Sequence, residues 1–370
     1  MVKIGIVGIG SIAEDYISLF AQGLIRDAKI TALASRNRAR LEDMVAKYDL
    51  KETALFETLE EMLEGDLVDA VMITTPHTLH PAMTRKVLAR DKHAMVDKPL
   101  GIFASEIEAL TKEALLKPHL KTAVMFNYRS SDIYGKAKEL MDSGELGQLR
   151  RVIWQVTNLY RSYGYYENSP WKGSYEKEGG GVLMNQAIHQ LDTIIWMVGM
   201  PKEVVAFMKE GFHRPISTEN DLLLHMFYEN GATGQFITST HESPGTNRLE
   251  LSLDQGQIVI ENDSSMRVTR LSVNEEDFAR SGENPFLHVP AKVHELNFPK
   301  LPNKVLQERL INNFVQSVLG REEIICPFSE ATKSVRVINA TYLSAWKGQV
   351  VPVDFRDEEY EAAWNEKVSD

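Results

Sequence analysis

The chain has 370 residues, 43% hydrophobic and 25% charged, with a formal net charge of −11 and a pI near 5.5. That length is more than one ordinary core needs and enough for two, and the composition is that of a globular protein rather than a disordered or fibrous one. The acidic balance argues against nucleic acid or an anionic membrane as partner and leaves a small molecule as the expected ligand. A single cysteine, Cys326, excludes an intrachain disulfide or a cysteine-rich zinc site, so no metal is expected. It fits a reducing cytoplasm. No apolar run reaches 18 residues and no signal-peptide pattern opens the chain, so neither a membrane nor an export route is expected.

The apolar run Ile4 to Val7 reads as a buried parallel strand, and helical periodicity begins at Ile12. Between them Gly8, Gly10 and Ala13 stand in the spacing G-x-G-x-x-A. Gly8 permits the turn, Gly10 lets a pyrophosphate approach the backbone, and Ala13 lets helix and strand pack closely. The N–H groups at Ser11 and Ile12 open the helix and complete a dinucleotide site. Lys29 to Ala34 is a second strand. Where an NAD site places an acid to hold the ribose 2′-hydroxyl, no acid occurs between Ala28 and Leu41; Ser35 and Arg36 stand there instead, followed by Arg38 and Arg40. A hydroxyl and a guanidinium suit a 2′-phosphate, so NADP is preferred to NAD, with Arg38 and Arg40 on a solvated helix face.

Further strands are expected at Ala54 to Phe56, Val68 to Thr75, Ala94 to Asp97 and Thr122 to Phe126, with helices at Leu59 to Leu63, up to Arg90 and from Ile107 to Leu116. Such alternation gives a doubly wound Rossmann sheet over residues 1–126. After a helix from Ile133 to Ser143 the strands lose their intervening helices: Arg151 to Tyr160, Val204 to Lys209, Asp221 to Tyr228, Ala232 to Thr240, Arg248 to Leu253 and Ile258 to Glu261 follow one another. Asn230-Gly231 and Gln255-Gly256 mark tight hairpins. The expected fold class is therefore an α/β Rossmann domain plus an α+β domain with a large, mainly antiparallel open sheet over residues 127–328. Residues 329–350 return to the first domain as a helix. One face of that sheet needs cover, for which a homo-oligomer, dimer or tetramer, is the plausible source. Ser272 to Lys304 reads as a long loop, and Leu306 to Leu319 as a helix.

One long helix, Val182 to Val198, follows Gly179-Gly180-Gly181 and carries Asn185, His189 and Asp192 along one stripe. Lys98 follows a buried strand at the carboxyl edge of the first sheet, where open α/β sheets bind their ligands. There a lysine can polarise a carbonyl or alkoxide oxygen. His77 and His80 lack the further ligands a metal would need and read as cofactor-edge or turn residues. Tyr160, Arg161, Tyr163, Tyr165 and Tyr166 line either a sugar pocket or an interface.

Together these motifs resemble the glucose-fructose oxidoreductase/inositol dehydrogenase/rhizopine-catabolism (Gfo/Idh/MocA) family, over nearly the whole chain. The resemblance rests on the glycine fingerprint, Thr74-Thr75-Pro76-His77 with His80, Asp97-Lys98-Pro99-Leu100, Tyr128-Arg129, Gly179 through Asp192, and Ala340-Thr341-Tyr342-Leu343-Ser344-Ala345-Trp346. It implies hydride transfer between a nicotinamide cofactor and a sugar or cyclitol, in a cleft between two domains. Lys98 occupies the family's catalytic lysine position, and Asn185 and His189 occupy those of its acid and proton-shuttling residue. Trp171-Lys172 looks like a Trp-Arg pair near the cofactor, beside which Thr75, Pro76, His77, His80 and Asp97 are also expected. Tyr128, Tyr165, Asn185, His189 and Lys98 are expected at the substrate. Three departures stand out: Asp97 replaces Glu, His77 replaces Asn, and Asn185 replaces the acid. An amide can orient His189 or a substrate hydroxyl but cannot donate a titrating proton, so acid/base work falls to His189 and Lys98. A glycosidase that uses transient oxidation and a non-catalytic NADP(H) sensor are the alternatives; retention of Lys98 and His189 counts against the sensor.

Overall fold

Residues 1–281 and 286–369 are described by the computed structural model. They form two units: residues 1–130, 177–179 and 301–335 in the first, and residues 131–176, 180–281, 286–300 and 336–369 in the second. The segment 329–350 divides, with residues through Val335 in the first unit and those from Arg336 in the second.

The first unit is built on six parallel strands, β1 (Val2–Val7), β2 (Ala28–Ala34), β3 (Ala54–Phe56), β4 (Ala70–Ile73), β5 (His93–Val96) and β6 (Thr122–Val124), in the order β3-β2-β1-β4-β5-β6. Ala70 to Ile73 are all buried, as a strand with both faces covered requires. The order reverses at β1 and β4, so the carboxyl ends of these strands and of β5 form the crevice where such sheets take ligands. β4 stops at Ile73, short of the expected Thr75, because the Thr74 hydroxyl turns back to donate to Val7 O at 3.0 Å and Gly8 O at 2.8 Å. That clamp fixes the glycine turn against the neighbouring strand end. The returning segment is held by Asn312, which accepts from Arg26 N–H at 2.9 Å and donates to Leu24 O at 3.0 Å.

The second unit carries nine strands: β7 (Leu149–Val156), β8 (Glu203–Glu210), β9 (Glu219–Phe227), β10 (Thr233–Ser239), β11 (Asn247–Leu253), β12 (Gly256–Glu261), β13 (Ser265–Leu271), β14 (Ala291–Asn297) and β15 (Val351–Pro352). Their order is β14-β13-β12-β11-β7-β10-β9-β8-β15. β7 and β10 run parallel and the other neighbours antiparallel. No hairpin joins β7 to β10, so nothing local dictates their direction. Burial alternates along β11, and the ring of Tyr134, on helix Asp132–Ser143, meets that of Trp154 at 5.4 Å on the covered face.

Three expectations need correction. Ser272 to Lys304 is not one loop: it holds helix Glu275–Ser281, strand β14 and the start of helix Asn303–Val318. β14 is exposed along nearly its whole length, so it shows no apolar alternation; residues 282–285 lie outside the described residues. The second hairpin turns at Asp254 and Gln255, since Leu253 already pairs with Gly256. The chain also continues past Lys347 into β15 and helix Asp357–Ser369, anchored by Tyr360 and Trp364 against Trp346. Finally, residues 182–198 are not one α-helix. Val182–Gln186 is a π turn, closed by Ala187 N–H on Val182 O at 2.7 Å, and helix Ile188–Val198 follows. A single wide turn leaves no mark on a five-residue apolar pattern. Among the described residues no helix is long and apolar enough to cross a membrane.

Candidate functional site

In the first unit the glycine turn has the shape of a pyrophosphate cradle. Gly8 has φ +91°, and a Cβ there would lie 2.6 Å from Thr75 Cγ2 and 2.8 Å from Thr75 N, so only glycine fits. A Cβ on Gly10 would meet nothing within 4 Å: the space above this turn is open. Gly10 begins helix Ser11–Ala21 without any side-chain cap, leaving the N–H groups of Ser11 and Ile12 to an anion. Ala13 is fully buried where helix and strand pack. These residues fit a bound dinucleotide.

At the end of β2, Asn37 caps helix Arg38–Tyr48 and donates its N–H to Ser35 Oγ at 3.2 Å. Arg38 pairs with Glu42 at 3.0 Å and Arg40 with Glu14. Arg36 is exposed and has no ion pair among the described residues. Of the three arginines it alone keeps its charge for a ligand.

Beyond β4 and β5 the chain brings Thr75, His77, His80 and Lys98 together. His77 is buried and its Nδ1 donates to Glu178 O at 2.8 Å. Burial, then the Lys98 and His80 charges, push its imidazole well below the ordinary range, so it is neutral. His80 has no exposed surface, and each ring nitrogen faces a carbonyl oxygen at 2.7 Å, Nδ1 that of Pro99 and Nε2 that of Thr75. Burial lowers its pKa, against the pull of both carbonyls and of Asp97. His80 thereby ties the segment carrying Lys98 to the turn after β4. Asp97 accepts from the Tyr16 hydroxyl at 3.3 Å, and Lys98 is half-buried. In the same unit Arg129 is buried and paired with Glu330 at 3.4 Å, and Tyr128 shares its 3-10 turn, Asn127–Ser130.

The second unit holds Asn185 in the π turn and His189 one residue into the helix that follows. The start of this segment is gripped by Glu219, a carboxyl with no exposed surface. Its Oε2 accepts from Gly181 N–H at 2.8 Å, and its Oε1 accepts from Leu183 N–H and the Tyr342 hydroxyl, both at 2.9 Å. The glycines follow from this grip: a Cβ on Gly180, where φ is +148°, would lie 2.1 Å from Tyr342 Oη, and one on Gly181 1.9 Å from Glu219 O. Burial pushes the Glu219 carboxyl up to about 7 despite these donors. Sequence reasoning passed over Glu219, because Ser217-Thr218-Glu219-Asn220 is a polar run that reads as a loop. Asn185 donates to the Tyr165 hydroxyl at 3.4 Å and Gln186 to the same oxygen at 3.0 Å. Lys172 Nζ lies 3.6 Å from the centroid of the Tyr165 ring and 5.8 Å from that of Trp171. Asn185, Tyr165, Trp171 and Lys172 thus form one group. Among the described residues no cluster of His, Cys, Asp or Glu could hold a metal.

Known proteins match both units. Residues 2–123 match an oxidoreductase family described by an NAD-binding Rossmann fold, and residues 134–259 match a GFO/IDH/MocA C-terminal domain. An uncharacterized oxidoreductase of Synechocystis, sll0816, is 25% identical over 250 residues; the match covers 63% of this chain and 65% of that protein, just under two thirds of its length. The NAD(+)-dependent scyllo-inositol 2-dehydrogenase of Bacillus subtilis is 23% identical over 75% of this chain and 79% of its own. Among solved structures, the WlbA dehydrogenase of Bordetella pertussis, in complex with NADH and UDP-GlcNAcA, superposes with a TM-score of 0.77 at 21% identity, over 96% of this chain and 99% of its own. At that identity the likeness is one of fold.

Proposed function

This chain belongs to the Gfo/Idh/MocA oxidoreductase family, and we propose that it is an NADP-preferring dehydrogenase that acts on a carbinol of a sugar, sugar derivative or cyclitol. The observation that carries the reading is Lys98: it follows the carboxyl end of β5, in the same unit as the open Gly10 cradle, and is tethered through Pro99 and His80 to the turn after β4. When bound, the nicotinamide supplies the hydride acceptor in oxidation and the donor in reduction. Its pyrophosphate is held by the N–H groups at Ser11 and Ile12, its 2′-phosphate by Arg36 and Ser35. Pro76, His77, Asp97, Trp171 and Lys172 belong to the same reading as cofactor contacts.

In oxidation, His189 takes the hydroxyl proton, Lys98 stabilises the negative charge developing on that oxygen, and Asn185 orients the substrate. An amide has no proton to titrate, so Asn185 fixes geometry only. Tyr165 and Tyr128 are further substrate contacts. Lys98→Ala and His189→Ala each lower turnover at least ~100-fold while the cofactor still binds, as read by the reduced cofactor's fluorescence; an unchanged rate in either variant removes that residue from the mechanism. The exposed Phe207 and Leu223 on adjacent strands β8 and β9 favour burial of this sheet face in a homo-oligomer. The lone buried cysteine suits a cytoplasmic setting.

A further inference from the structure

Among the described residues, Arg161 and Lys172 meet the Tyr165 ring and Arg214 stands beside Arg161, none of the three with an acidic partner. Arg161 stacks on the Tyr165 ring with 5.0 Å from guanidinium carbon to centroid, and Lys172 reaches the same ring at 3.6 Å. Arg214 lies 5.3 Å from the Tyr160 centroid and 5.1 Å from that of Tyr163, and its Nε donates to Arg161 O at 2.7 Å. The other guanidinium bonds go to main-chain carbonyls: Arg161 Nη1 to Tyr160 O at 2.8 Å and Leu159 O at 3.3 Å, and Arg214 Nη1 to His213 O at 2.6 Å. Arg161 Nε is buried and donates to nothing among the described residues.

These carbonyls orient the two guanidinium groups without neutralising them, and each group keeps unused N–H donors of its five. Two acids around Thr240, whose carbonyl accepts from Arg161 N–H, have other partners: Asp221 pairs with His241 at 2.8 Å, and Glu242 accepts from the Ser239 hydroxyl at 2.8 Å. Three neighbouring cations without an ion pair among the described residues run against the chain's net charge of −11. Tyr165 joins this group to the substrate side, since its hydroxyl is the atom that Asn185 and Gln186 both approach.

We propose that Arg161 and Arg214, with the cofactor-side Lys172 adding to the positive field, form a subsite for an oxyanion carried by the substrate, so that the natural substrate is a sugar or cyclitol bearing a carboxylate or a phosphate ester. Planar guanidinium donors held by the main chain match both oxyanions, and the aromatic rings keep the cations in place without discharging them. The inference rests on the reading of Asn185 and Tyr165 as substrate contacts, and it deepens the proposed function by naming the substrate's charge.

The test measures binding and turnover for glucose, glucuronate, glucose 6-phosphate, myo-inositol and an inositol monophosphate, with NADP and NAD each present in turn. At least one charged member binds at least about tenfold more tightly than its neutral parent by calorimetry, and raising the salt concentration erodes that advantage. Arg161→Gln combined with Arg214→Gln collapses the charged-to-neutral ratio, with cofactor affinity as the check on folding. Preference for the carboxylate or for the phosphate identifies which oxyanion the subsite takes. Equal binding of charged and neutral members, no response to salt, or an unaltered ratio in the double variant overturns the subsite. Oxidation of neutral members alone refutes the subsite and leaves the dehydrogenase intact. Charged members that bind but are never oxidised support the subsite and count against the dehydrogenase.

Discussion

Replacement of Glu219 by Gln separates the energetic role of a buried carboxyl from its role in placing Asn185. The carboxyl is fully buried, and burial raises it from its ordinary 4.5 to about 7. The folded chain therefore binds that proton more tightly than the unfolded chain. Its contribution to stability is fully present below the unfolded value and is lost as pH rises through about 7, a swing of about 3 kcal/mol. Urea unfolding of the wild type and of Glu219→Gln at pH values from about 5 to 8 reads this directly: the wild type loses about 2–3 kcal/mol relative to the variant across that range. Parallel profiles would refute the titration. The same substitution sets an amide N–H against the N–H of either Gly181 or Leu183, because each carboxyl oxygen accepts one of them. Leaving a buried backbone donor unmet costs about 1–3 kcal/mol and shifts the start of the π turn. kcat/KM therefore falls about 10–100-fold, with cofactor affinity changing much less because the pyrophosphate cradle belongs to the first unit. A loss of cofactor affinity as large as the loss in kcat/KM would contradict that division of labour.

Four other substitutions test the first unit. Arg36→Ala weakens NADPH binding about 10–100-fold and leaves NADH binding nearly unchanged in a fluorescence titration, given about 1.5–3 kcal/mol for a charge-assisted contact; equal loss for both cofactors contradicts the 2′-phosphate assignment. Gly8→Ala places a Cβ 2.6 Å from Thr75 Cγ2 at a φ of +91°, so dinucleotide binding is lost and the thermal midpoint falls, while Gly10→Ala, with open space around it, impairs binding with little effect on the midpoint. His80→Phe keeps an aromatic ring, though a larger one, but breaks both carbonyl contacts at 2.7 Å. It lowers kcat more than it raises KM if His80 acts by holding the Lys98 segment.

The Rossmann unit was almost fully legible in the sequence, because a glycine turn after a buried apolar strand and regular strand–helix alternation are local signals. Arg36 was separable from Arg38 and Arg40 for the same reason: it precedes the helix on which the other two meet Glu42 and Glu14. What escaped was set by distant contacts. The parallel pairing of β7 with β10 is decided by sheet assembly, and β14 gains its backbone bonds from β13 without burying side chains. Helix Asp357–Ser369 did carry a signal, Tyr360 and Trp364 four residues apart in an acidic run, and it went unread. The π turn and Glu219 belong together: the turn places Asn185 and His189 differently from a straight helix, and the carboxyl that secures it lies more than thirty residues away in a polar run.

The central claim is tested most directly by following the absorbance of reduced nicotinamide while NADP or NAD is offered with a panel of neutral and anionic sugars and cyclitols, using the wild type and Lys98→Ala side by side. The expected result is reduction of cofactor by at least one carbinol with the wild type, fastest with NADP, and a loss of at least ~100-fold in the variant. Absence of reduction with every member, or an equal rate in Lys98→Ala, would contradict the assignment.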